Sequence, residues 1–238
     1  MPAGSSIPII QITGLRKQFG GLRPLRINAL TVAAGERITL HGVDAAAAEM
    51  LMLLITGASL PDEGVVAIAG RDTRDIHTDT EWLTSLDVFG MVTMRAALMD
   101  SLALQANMAL PFTLSIEPLA VEVRLAVELL AAEVGLSADL LPAPVHSLND
   151  AQRTRVHLAR ALALSPQVLL LEHPTATLAT DESAAFGKLL STIGERRNLA
   201  WLALSEDEAF ANEAAGSRCR LAPASGEITI VKRGWRLW

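Results

Sequence analysis

The 238-residue chain is poor in cysteine, aromatic residues and charge: it has one cysteine, Cys219, 4% aromatics and 19% Asp, Glu, Lys and Arg together. A lone cysteine excludes an internal disulfide and fits a reducing compartment, and the five histidines, with His146 and His157 the closest pair, lack the spacing of a zinc site. No basic run occurs and the formal charge is −6, which argues against nucleic acid as a partner. No apolar stretch approaches spanning length, the greasiest being residues 50–55, and Met1-Pro2-Ala3-Gly4-Ser5-Ser6 has no basic start leading into an apolar segment. A soluble, cytoplasmic protein is expected, one that can sit at the inner face of the cell membrane through a membrane partner. What the chain does have is apolar residues, half of the total, enough to bury a large core and to exclude disorder. Its length allows one large domain or two small lobes.

Residues 7–12, 37–40 and 65–68 are β-rich runs separated by Gly-containing turns and read as strands. After Leu40-His41-Gly42 the composition switches to Ala45-Ala46-Ala47-Ala48-Glu49-Met50-Leu51-Met52-Leu53-Leu54, strong helix formers that continue until Gly57 supplies a stop. From about 96 to 140 the apolar spacing is helical, with Val123, Val127, Leu130 and Val134 on one stripe. The second half alternates a helix over 150–164, a strand over 168–171, a helix over 182–193 and a strand over 199–204. The continuous apolar run of 168–171 is the pattern of a parallel strand covered on both faces, expected at the centre of the sheet. The fold class is therefore α/β.

Taken in order, Phe19-Gly20-Gly21-Leu22, Gly35-Glu36, Leu54-Ile55-Thr56-Gly57, Pro61-Asp62-Glu63-Gly64, Gly70-Arg71-Asp72, Asn107-Met108-Ala109-Leu110-Pro111, Arg155 to Leu162 and Val168-Leu169-Leu170-Leu171-Glu172-His173-Pro174-Thr175 resemble the ATPase subunit of an ABC transporter. The early segment is most similar to branched-chain amino acid importer ATPases, while Asn107 to Pro111 resembles lipoprotein and lipid transport ATPases. The resemblance implies a single P-loop NTPase-like domain with a RecA-like core, an antiparallel β subdomain (core and β subdomain 7–90 and 165–238) and an α-helical subdomain (about 91–164). It also implies a membrane subunit as partner and ATP hydrolysis, with magnesium, between two cassettes packed head to tail.

The family's chemical positions are altered here. Where the resemblance places a phosphate loop GxxGxGK followed by Ser or Thr, the chain reads Gly42-Val43-Asp44-Ala45-Ala46-Ala47-Ala48-Glu49. Glycines there let backbone amides curl around a phosphate, and the lysine supplies charge; alanines favour simple continuation of the helix. Exchanging a cation for the Glu49 carboxylate reverses the local field, roughly 4 kcal/mol per unit-charge contact at 4 Å and an effective dielectric of 20. Glu49 is expected to cap the first helical turn and fill part of the phosphate site. The glutamine that in the family links magnesium to the membrane partner falls at Met94, and LSGGQ becomes Leu148-Asn149-Asp150-Ala151-Gln152, in which Asn149 with Gln152 also spells an ordinary helix capping box. The Asp-Glu pair after the buried strand becomes Glu172-His173, Ala176-Thr177-Leu178-Ala179 lacks the family's aspartate, and the switch histidine falls at Glu206. Phe19 matches the family's adenine-stacking aromatic, though it equally suits simple packing.

His173 and Glu206 are expected at adjacent strand ends, as an acid–base pair or, in the simpler reading, as a hydrogen-bonded structural pair. Met91, Met94, Met99 and Met108 suit either core packing or an apolar helix-in-groove contact, and the tail from Lys232 to Trp238 pairs cations with two tryptophans. No catalytic residue, metal ligand or bound cofactor is assigned. The leading expectation is a non-hydrolysing, structural or regulatory ABC-type subunit working with a membrane subunit and a motif-intact ATPase subunit. The alternatives are an ATPase that uses ATP and Mg through unorthodox residues, and a standalone protein-interaction module.

Overall fold

The structure, a computed structural model, describes residues 7–21, 23–93 and 95–231. Leu22, Met94 and the tail 232–238 lie outside the described residues. The chain opens with β1 (Ile10–Lys17), β2 (Leu25–Val32) and β3 (Arg37–His41), passes through α1 (Ala45–Ile55), and continues with β4 (Glu63–Ile68), β5 (Arg71–Asp72), α2 (Asp79–Leu86) and β6 (Phe89–Thr93). There follow α3 (Leu104–Ala109), α4 (Val121–Glu133), α5 (Asp150–Leu162), β7 (Val168–Glu172), α6 (Thr180–Arg197), β8 (Ala200–Leu204), α7 (Glu208–Glu213), β9 (Ser217–Ala222) and β10 (Glu227–Ile230).

Two sheets result. One is antiparallel with order β2-β1-β4-β5, and the other has order β10-β9-β3-β8-β7-β6, parallel from β9 to β6 with β10 antiparallel at its edge. All five residues of β7 and of β8 are buried, as the unbroken apolar runs require of strands covered on both faces. β3 and β8 hold the centre of this sheet, and β7 lies one strand in from the β6 edge, which corrects the expectation of a central β7. The first strand is also later than residues 7–12, because its pairing with β2 and β4 begins at Ile10. The sheet reaches Thr93 through β6, so the helical stretch begins with α3 at Leu104.

Side chains of one strand feed two separate cores. Leu169 and Leu171 join Trp201, Phe210, Leu158 and Val127 in a cluster beneath the helices. Val168 and Leu170 face the other way, onto Leu51, Leu54 and Ile55 of α1 and Ile10, Ile12 and Ile27 of the antiparallel sheet. The parallel strands end at their carboxyl edge on one line of loops, after β3, β6, β7 and β8, the place where an open α/β sheet offers a crevice.

Candidate functional site

The loop from β3 to α1 is built around Gly42, whose φ of +85° is left-handed and where an added Cβ would lie 2.2 Å from the Leu221 carbonyl oxygen. Only glycine fits, so the chain turns sharply out of the sheet and straight into α1. Asp44 is the N-cap, its Oδ1 accepting from the Ala47 N–H at 2.8 Å, and the Ala48 N–H donates to the Asp44 carbonyl at 2.8 Å. The Gly42 N–H donates to the Glu206 carboxylate, which reaches across from the loop after β8. Two backbone donors of the loop thus already hold carboxylates of the same chain. Ala45 and Ala46 expose their methyl groups in the first turn, and Ala48 is packed into the core. Val43 is buried as well.

Glu49 does not cap α1. It lies on the fifth residue of the helix, too far along to reach the free amides, and pairs instead with Arg95 at 2.9 Å. The same guanidinium binds Glu172 at 2.5 Å, and Glu172 also accepts from the Thr93 hydroxyl at 2.8 Å. Glu172 is only 7% exposed, so the cation is what makes its burial tolerable. Arg95 therefore ties α1, the end of β7 and the segment after β6 to one another. Its own N–H donates to the Thr93 hydroxyl at 3.2 Å. Met94 lies outside the described residues, but the segment after it is anchored: Asn107, fully buried on α3, accepts from the Met99 N–H at 2.8 Å and donates to the Met99 carbonyl at 3.1 Å. Of the other methionines, Met108 is core, while Met91 and Met99 are exposed.

His173 and Glu206 line one cavity with Gly42, Val43, Asp44 and Ala45, but they do not form the expected hydrogen-bonded pair, since Glu206 is committed to the Gly42 amide. His173 is bound through its backbone, N–H to the Leu204 carbonyl at 2.9 Å, its φ is +42°, and its buried Nε2 has no hydrogen-bond partner among the described residues. Behind it, Thr175 donates to Asp207 at 2.7 Å, joining the loops after β7 and β8. His41, at the end of β3, is 1% exposed with neither ring nitrogen bonded; burial pushes its pKa below 6.5, against the pull of Glu208 and Glu206.

A second cavity of about 360 Å³ lies against the other side of the loop. Its walls include Phe19, Arg23, Arg26, Leu221 and, from the loop, Asp44, Ala46 and Ala47. Phe19 also packs partly on the core that holds the antiparallel sheet, so packing and cavity lining coexist in one ring. At the start of α5 the capping box forms in full: Asn149 Oδ1 accepts from the Gln152 N–H at 2.8 Å, and Gln152 Oε1 accepts from the Asn149 N–H at 3.0 Å. Leu148 is buried, while Asp150 is exposed and Ala151 half-buried in the first turn. No group of three or more metal-type ligands occurs among the described residues, and no helix there is long and apolar enough to cross a membrane.

Arg95 and Asn107 are the residues that matter here beyond those picked from the sequence as site positions. In the sequence Asn107 is a motif landmark only. Arg95 carries no sequence signal, because its partner Glu172 is 77 residues away and no local pattern marks such a pair.

The chain is similar to known proteins over most of its length. It is 30% identical over 211 residues to the macrolide export ATP-binding/permease protein MacB 1 of Aeromonas hydrophila subsp. hydrophila, covering 87% of this chain and 32% of that protein. It is 30% identical over 206 residues to the methionine import ATP-binding protein MetN of Brucella abortus, covering 87% of this chain and 55% of that protein. The chain thus spans about a third to just over half the length of these relatives. They include an exporter and an importer, and closeness to branched-chain importers does not emerge. Among solved structures, cbiO1 of Clostridium perfringens, part of the ABC transporter complex cbiONQ, superposes with a TM-score of 0.77 at 17% identity, covering 95% of this chain and 88% of that one. A dimeric post-hydrolysis structure of the ATP-binding cassette MJ0796 bound to ADP and Pi gives 0.76 at 19% identity, covering 94% and 100%. The fold is thus the P-loop cassette fold of ABC ATPases. The family model described as ABC transporter matches residues 25–176, well over half of the chain, and the protein belongs to that family.

Proposed function

We propose that this chain is an ATP-binding-cassette subunit that does not hydrolyse nucleotide and acts as a structural or regulatory component of a membrane transport complex. A triphosphate with its magnesium ion needs free backbone donors, a lysine and a small hard-oxygen ligand at the loop, and the residues present do not fit that group. The observation that carries the reading is the occupancy of the Gly42 and Ala47 amides by the carboxylates of Glu206 and Asp44. A phosphate would have to displace two anions already in place and face their charge. Glu49 and Glu172 are likewise taken up by Arg95. The signature segment lent to a neighbouring cassette would offer a closed capping box, with Asp150 beside it, in place of a serine hydroxyl. Paired with another cassette, such a subunit would spoil both composite sites, which argues against a simple pair of one silent and one active cassette; hydrolysis in the complex would need motif-intact cassettes paired with each other. The chain would lie at the inner face of the cell membrane through a membrane subunit; of the expected division into a helical subdomain over about 91–164 and a core and β subdomain over 7–90 and 165–238, residues 91–93 go with the core, since they belong to β6.

The alternative of an ATP-binding, ATP-hydrolysing subunit draws on one feature, the cavity beside Phe19, which has room for a planar base and carries Arg23 and Arg26 at its wall. Calorimetric titration with ATP, with and without magnesium, separates the two. The proposal expects no saturable heat at millimolar nucleotide and no phosphate release. Saturable, magnesium-dependent binding that is lost in Glu172→Ala would overturn it in favour of the enzyme.

A further inference from the structure

The geometry points to a self-association surface on α4, independent of the crevice and of the function proposed for it. With 100° per residue, Val127, Leu130, Ala131 and Val134 define the side of the α4 segment that is buried in the core. Diametrically opposite, at i, i+4 and i+8, lie Val121, Leu125 and Leu129, exposed by 57%, 53% and 73%. A helix that is apolar on both sides is built to be covered twice, and among the described residues only one cover is present.

The charges beside the stripe identify the second cover as another copy of this protein. Arg124 and Glu128 sit on the same flank, exposed, and neither makes an ion pair among the described residues. If two α4 helices pack antiparallel about a two-fold axis at Leu125, Leu125 meets its own copy and Val121 meets the partner's Leu129. The same flank then faces the same flank. At about 1.5 Å rise per residue, Arg124 lies about 1.5 Å to one side of the axis and the copy's Glu128 about 4.5 Å to that same side, an offset of about 3 Å within reach of an ion pair. Symmetry makes two such pairs. On the other flank Glu122 faces the copy's Ala126, and the two Glu122 carboxylates stand about 9 Å apart along the axis, so no like charges oppose directly. A parallel two-fold arrangement would instead bring opposite flanks together, setting Arg124 beside the copy's Glu122 and leaving Glu128 without a cation. The stripe is short relative to the roughly 1,200 Å² of a stable interface, so the dimer is a weak one that depends on protein concentration.

Sedimentation-velocity runs on the full chain without nucleotide, from about 5 to 500 µM, read this directly. Wild type is expected to shift from monomer towards dimer across that range. Leu125→Glu should remain monomeric while keeping its melting temperature, since its side chain lies outside the core. Arg124→Glu and Glu128→Arg should each weaken association about tenfold, and the double exchange R124E/E128R should restore it, because the antiparallel pairs re-form with reversed sign. A chain that is monomeric throughout, a dimer indifferent to Leu125→Glu, or a double exchange no better than the single ones overturns the assignment.

Discussion

Arg95 is the residue on which the crevice is balanced. Its ion pair with Glu49 joins two half-exposed side chains and by itself contributes little, whereas its contact with the buried Glu172 offsets a desolvation cost. Arg95→Gln should therefore destabilise the protein by about 1–3 kcal/mol, and Glu172→Gln in that background should recover part of the loss, since a neutral amide is cheaper to bury than an unpaired carboxylate. Urea unfolding of the four proteins of this cycle gives the coupling directly; additive losses would mean that the two side chains do not cooperate. His157 is a second sensitive residue. Burial, with smaller contributions from Arg160 and Arg153, lowers its pKa from 6.5 to about 4. The unfolded chain therefore binds the extra proton first as pH falls, so stability present above pH 6.5 is lost between 6.5 and 4, by ~3 kcal/mol at ~1.4 kcal/mol per pH unit. His157→Leu should flatten that stretch of the pH–stability curve, with His41 leaving a smaller residue of the same sign. An unchanged slope would mean that His157 accepts its proton in the folded state.

At the scale of the element, α5 shows how a motif position can be consumed by local structure. Asn149 and Gln152 satisfy each other's backbone groups reciprocally, the pattern legible in the sequence as a box of Asn followed three residues later by Gln. Asn149→Ala should cost about 1 kcal/mol in thermal or urea unfolding, and Asn149→Ser should be close to neutral, because a hydroxyl caps as well as an amide oxygen. The elements that declared themselves in the sequence were those with one dominant signal: the apolar runs of β7 and β8, the alanine-rich start of α1, and the stripe of α4. Those that stayed hidden carry mixed signals. β2 has Arg26, Asn28 and Ala29 among its apolar residues, β9 alternates Arg with Cys and Leu, and α2 buries no residue at all and so has no stripe to find. The crevice followed the same rule. Its loop and strand-end residues were legible by position, but whether Glu206 would reach His173 or the Gly42 amide depends on how two loops face each other across the sheet edge. Likewise Glu49 is an acidic residue near a helix start, and only the fifth-residue placement and the nearby Arg95 turn it away from the cap.

At the scale of the whole molecule, the parallel sheet is the shared wall of two cores, and this fixes how the protein comes apart. Adjacent residues of β7 belong to different cores, Leu169 and Leu171 to the one beneath the helices, Val168 and Leu170 to the one against α1 and the antiparallel sheet. β8 divides in the same way, with Trp201 and Ala203 on one side and Leu202 and Leu204 on the other. Neither core can loosen without stripping one face of strands that the other core needs, so the described chain should unfold as one cooperative unit in spite of its two sheets and its helical layer. Leu170→Ala and Leu169→Ala test this from opposite faces. Each removes a fully buried leucine and should cost about 2–5 kcal/mol. Each should move far-UV circular dichroism and the near-UV signal of the buried Trp201 to a lower urea midpoint together, although Trp201 shares a core with Leu169 alone. If Leu170→Ala shifts the backbone signal while Trp201 keeps its wild-type midpoint, the two cores unfold separately and the sheet is a hinge between them, not a common wall.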